Sequence, residues 1–119
     1  MVDEVTLCES DAFQTRFEVK ADNLFLENDI LSESAVMENI AQTCAAGMGC
    51  YAIHFGEGNT NIGFIGSINK VKVLQNPKVG EIITTDVKIL HQLENIYLIE
   101  GTAKIGETLI MSCQMKIVA

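Results

Sequence analysis

The sequence predicts an α+β domain in which an antiparallel sheet of about six strands wraps one long central helix. Three observations predict it. The stretch Ser32–His54 contains no Pro and is mostly small or apolar, as a buried helix requires. From Ile62 to the C-terminus the hydrophobic period is two, the period of strands. The connections between these alternating runs are short and turn-like, which makes neighbouring strands antiparallel. A length of 119 residues with 48% hydrophobic residues suits one domain, 1–119, with one core.

Met1–Leu7 is rich in Val and Thr and reads as a strand. Glu9-Ser10-Asp11 supplies a turn, and Ala12–Lys20 alternates Phe13, Thr15, Phe17 and Val19 against Gln14, Arg16, Glu18 and Lys20, completing a hairpin. Ala21–Leu31 reads as a loop with packed apolar anchors (Leu24, Phe25, Leu26, Ile30 and Leu31) that leads into the helix. Ser32 stands as N-cap before the first-turn acid Glu33. On a helical wheel Val36, Ile40, Thr43 and Cys50 share one side while Ala35, Ala41, Ala45 and Ala46 spread over the other, so the helix is expected to be buried all round. Gly56–Asn61 breaks it. The strands expected next are Ile62–Leu74, Glu81–Leu90, Ile96–Ile105 and Thr108–Val118. One helix cannot cover six strands on both faces, and Ile82, Tyr97 and Ile99, read on the opposite face, predict self-association.

A net charge of −8 and a pI near 4.6 remove the electrostatic footprint of nucleic-acid binding and of adhesion to anionic membranes. The uncharged run Asn39–Ile53 is too short for a membrane span. The acidic start MVDEV is not the basic n-region of a signal peptide, so the expected compartment is the cytoplasm. Cys8, Cys44, Cys50 and Cys113 form no C-x-x-C pair and flank no His couple, so buried thiols are expected rather than zinc ligands or disulfides, and no cofactor is expected.

The candidate chemistry lies in the helix. Glu38 is an ionisable residue well inside it, with Gln42 one turn later and Ser34 one turn earlier. Ala41, Ala45 and Gly49 leave room beside the carboxylate for a ligand or another backbone. Desolvation there is the ordinary route to a general acid or base, and the competing reading is a structural ion pair. Gln42 either orients Glu38 or bonds a neighbouring backbone group. Asn28 and Asp29, before the helix, orient a substrate or a water, or serve as turn residues. Gly66, inside a strand, marks close approach of a ligand or a backbone, or a bulge. His54 is expected to favour the helix dipole and His91 to lie in an exposed turn.

Three stretches carry a resemblance: the opening MVDEVTL, the helix motif VMENIAQTCAAG, and FIGSINKVKVLQNPKVGEII with its Pro-x-x-Gly-Glu turn. Together they resemble the hotdog fold and, within it, are most similar to the 3-hydroxyacyl-(acyl carrier protein) dehydratases and their short relatives in fatty-acid-like biosynthesis. The resemblance implies a homodimer or higher oligomer that binds acyl thioesters of acyl carrier protein or coenzyme A. It makes Glu38 the catalytic acid, served in the family by a His from the loop before the partner subunit's helix. Here Asn23–Leu31 contains no His, and neither His54 nor His91 matches the motif, which implies a catalytically incomplete dehydratase. The alternatives are a thioesterase, which needs one carboxylate to activate water, and a non-catalytic partner subunit of a complete dehydratase. Met1 falls inside the family pattern, as expected of a short member or of a start assigned late.

Overall fold

The computed structural model describes residues 2–24, 26–55 and 64–118. In chain order the elements are β1 (Glu4–Cys8), β2 (Ala12–Glu18), β3 (Leu26–Glu27), β4 (Ile30–Leu31), α1 (Glu33–Phe55), β5 (Phe64–Val73), β6 (Ile82–Leu93), β7 (Ile96–Ile105) and β8 (Thr108–Val118). Six strands form one antiparallel sheet in the order β1-β2-β6-β7-β8-β5, and β3 with β4 make a small separate hairpin. The expected α+β arrangement is the observed one. The Gly56–Asn61 break, Phe25 and the side chain of His54 lie outside the described residues.

Alternation along each strand sends one set of side chains to the helix. Across the sheet the pairing Phe13↔Val87↔Gly101↔Cys113 makes one inward row and Thr15↔Thr85↔Ala103↔Met111 the next. Both rows meet Ala35, Val36, Ile40 and Cys44 of α1 in a single core. The outward row Gln14↔Asp86↔Thr102↔Ser112 is polar, with the Gln14 amide donating to Asp86 Oδ1 at 2.8 Å. This corrects the reading of the opposite face. Ile99 is 0% exposed and Tyr97 packs on the core, while Ile82 alone of the three points outward. The face that was expected to drive association through apolar contact is largely hydrophilic.

Two glycines set how closely the helix approaches. A Cβ at Gly47 would overlap the Phe13 ring, and one at Gly101 would overlap Ile40. Rotation of the helix is fixed by polar contacts within the core. Thr43 and Thr15 share a hydroxyl hydrogen bond of 2.7 Å, Thr43 also donates to the Asn39 carbonyl, and the Thr85 hydroxyl donates to Asn39 Oδ1. All four side chains are fully buried.

Several boundaries differ from expectation. The segment before the helix is a hairpin whose two turn residues, Asn28 (φ 53°) and Asp29 (φ 63°), form the left-handed pair of a type I′ turn. Strand β6 runs on to Leu93 through an irregularity between Ile89 and His91, so His91 is a strand residue and the turn is Glu94-Asn95. Cys8 and Cys50 are only half-buried, against the expectation of buried thiols, whereas Cys44 and Cys113 are in the core.

Two predictions follow from the packing and the core thiols. Gly47→Ala gains about 1 kcal/mol of helix propensity but drives a methyl into the Phe13 ring, so a net loss of about 1–3 kcal/mol is expected, read as a lower urea midpoint. Burial pushes the Cys44 thiol from 9.0 up to about 11. Unfolded chains lose this proton first as pH rises, so stability should be level below pH 9.0 and fall by on the order of 2 kcal/mol toward pH 11. Urea titrations of wild type and Cys44→Ala at alkaline pH check this, the variant showing the shallower decline.

Candidate functional site

The Ser32 hydroxyl accepts the Ala35 N–H at 3.2 Å, starting the helix as its sequence predicts. The chain reaches that cap along a fixed path. Leu31 donates its N–H to the Pro77 carbonyl at 2.8 Å, the Asn76 amide donates to the Leu31 carbonyl at 3.1 Å, and Val79 donates its N–H to the Asp29 carbonyl at 3.0 Å. The turn that carries Pro77 and Gly80 (φ 89°) thereby holds the β3–β4 hairpin against the sheet. Asn76 and Pro77 are positioning residues that sequence reasoning did not single out. The Pro-x-x-Gly-Glu pattern was the available signal for them.

With Asn39 and Thr43 turned inward, the residues immediately before them turn away from the sheet. Glu38 is therefore exposed, on a face it shares with Ser34, Ala41, Gln42, Ala45 and Gly49. The expectation of a desolvated carboxylate within this chain is corrected: Glu38 and Ala45 are exposed and Gly49 partly so, while Ala41 packs against the edge of the core. The room expected beside Glu38 is present, since a Cβ at Gly49 would meet nothing within 4 Å. Gln42 Nε2 donates to Glu38 Oε1 at 3.1 Å, so these two predicted residues are joined. The amide holds one of the two carboxylate oxygens.

The other predicted residues sit elsewhere. Asn28 and Asp29 are the exposed tip of the hairpin and adopt the conformation its turn requires. Gly66 lies at a register irregularity of edge strand β5, between Ile65 and Ser67. The bulge reading accounts for it. Next to it the Ser67 hydroxyl oxygen is buried without a hydrogen-bond partner among the described residues. His91 is exposed on β6.

Among the described residues no three His, Cys, Asp or Glu side chains cluster as metal ligands, and no described helix is long and apolar enough to cross a membrane. A cavity of about 240 Å³ lies against β1, β2, β6 and β7, lined by Leu7, Ala12, Asp86, Lys88, Glu100 and Thr102 over Phe13 and Val87. It includes no residue of α1. Glu38 with Gln42 on the exposed helix face is accordingly the candidate site.

Residues 1–119 match the model of the ApeP-like family, described as ApeP dehydratase. No curated protein matches the sequence. Among solved structures the chain is similar to the dehydratase heterocomplex ApeI:P from Xenorhabdus doucetiae, with 17% identity and a TM-score of 0.87 over 98% of this chain and 80% of that one. It is also similar to a hypothetical thioesterase protein with coenzyme A from Streptococcus pneumoniae TIGR4, with 11% identity and a TM-score of 0.73 over 97% of this chain and 83% of that one. A third similar structure is smu.793 from Streptococcus mutans UA159 bound to acetyl CoA, with 10% identity and a TM-score of 0.75 over 97% of this chain and 86% of that one. At these identities the likeness is one of fold, and the sheet wrapped around one helix is the hotdog fold.

Proposed function

The chain belongs to the ApeP-like dehydratase family, and from that premise we propose that it is an acyl-thioester-binding subunit of the 3-hydroxyacyl dehydratase type whose site is completed by a second subunit. The observation that carries this reading is the exposure of Glu38 on a helix face lined with small side chains. A second hotdog subunit laid against that stripe would bury the carboxylate, raise its proton affinity, and leave a narrow space for an acyl chain.

Dehydration removes a proton from the α carbon and hydroxide from the β carbon, which leave together as water. Glu38 would protonate the departing hydroxyl or take the α proton, with Gln42 holding the carboxylate in orientation. Backbone N–H groups at the start of α1 or around Gly66 would polarise the thioester carbonyl. The second proton transfer calls for a titratable group that this helix face does not contain. In the proposed assembly a His of a complete dehydratase subunit supplies it, and a pair of identical chains binds acyl thioesters of a carrier protein or coenzyme A without efficient turnover. The similarity to a structure titled as a dehydratase heterocomplex supports a mixed pair.

Thioester hydrolysis is the second reading, favoured by the likeness to coenzyme A-bound thioesterase-type structures and by its need for only one carboxylate to activate water.

Two measurements separate these readings. On 3-hydroxyacyl thioesters the pure chain should form little enoyl product, while the chain co-purified with a His-bearing hotdog dehydratase should be active. Glu38→Gln in that complex should lower the rate by about 100-fold or more; equal rates for wild type and variant would reject the role of Glu38. Acyl-coenzyme A supplied to the pure chain should release no free thiol above background, and Glu38-dependent release would establish the hydrolase instead.

A further inference from the structure

The two half-buried cysteines come from opposite ends of the fold's first half and are brought to the same turn of α1. Cys8 is the last residue of β1 and pairs across the hairpin with Phe13, the residue that packs against Gly47. Its thiol donates to the Gly47 carbonyl at 3.4 Å. Cys50 follows Gly47 by three residues, and because helical side chains lean toward the N-terminus it projects back over the same carbonyl. Cys44 and Cys113, by contrast, are buried in the core, Cys44 against the Met48 sulfur at 3.7 Å.

We propose that Cys8 and Cys50 form a dithiol modification site that reacts with low-molecular-weight disulfides and closes to a disulfide bond between β1 and α1. Cys50, as thiolate, attacks one sulfur of the small disulfide; that S–S bond breaks, one small thiol leaves and takes up a proton, and Cys50 carries the other as a mixed disulfide. Cys8 then gives its proton to solvent and attacks the Cys50 sulfur, forming the Cys8–Cys50 bond and expelling the second small thiol. The protein loses two electrons and two protons, and the small disulfide gains both. Burial, and after it the neighbouring Cys50 thiol, push the Cys8 thiol up to about 11, which makes it a slow first nucleophile. The bond would tie the edge strand to the helix that carries Glu38.

The test uses the full reduced chain, incubated folded with oxidised glutathione, followed by alkylation, intact mass and peptide mapping. The expected product is two hydrogens lighter, with the Cys8 and Cys50 peptides joined and with Cys44 and Cys113 alkylated only after unfolding. Its Tm should rise by at least about 5 °C, because the bond closes a loop of about 40 residues in the unfolded chain. Cys8→Ser should instead retain a glutathione adduct on Cys50. A lasting adduct on the wild type, a bond to Cys44 or Cys113, no reaction, or an unchanged or lower Tm after bonding would each overturn the proposal.

Discussion

The buried hydrogen bonds among Thr15, Thr43, Asn39 and Thr85 decide which way the central helix faces. The helix is small or apolar on nearly every side, and apolar burial is non-directional. It presses the helix onto the sheet without choosing a rotation. Hydrogen bonds do choose, because a buried hydroxyl or amide left unpaired costs about 1–3 kcal/mol. Any rotation that carried Asn39 off Thr85 would strand both groups in the core. The network contributes modestly to net stability and strongly to orientation, and it leaves Glu38 and Gln42 outside.

Depth and starting point are fixed by other means. Gly47 and Gly101 let the helix sink until Phe13 and Ile40 fill the space that side chains at those positions would occupy. The turn through Asn76 and Pro77 then grips the Leu31 backbone one residue before the cap. A helix held in rotation, depth and start has no remaining freedom to turn its carboxylate inward. Glu38 faces outward for structural reasons that lie entirely on the other side of the helix.

Much of this was legible in the sequence, and the losses have particular causes. Period two found β7 and β8 at their observed bounds, and Ser32 before Glu33 located the start of the helix. Ala41, Ala45 and Gly49 were the misleading residues. Small side chains signal close approach by something, and the sequence does not say whether that partner belongs to the same chain. Tyr97 and Ile99 were placed on the wrong face because their direction depends on register with β6 and β8, a long-range property. The irregularity between Ile89 and His91 likewise extended β6 past the expected turn. The contact between Cys8 and the Gly47 carbonyl has no local signature at all, since it joins an edge strand to the far half of the helix.

The same reasoning bears on what can meet the Glu38 stripe. A surface of small side chains admits a close neighbour but offers little apolar area to hold one, so recognition there must come from fit and from groups supplied by the other side. A second identical chain in that place would bring a further Glu38 but no histidine from the segment before its helix. A neighbour that brings an imidazole would supply the second proton carrier that the proposed dehydration needs. On the proposed reading, the outward carboxylate, the helix-entry segment without histidine and the small residues beside Glu38 are the features of this chain that an unlike subunit would complement.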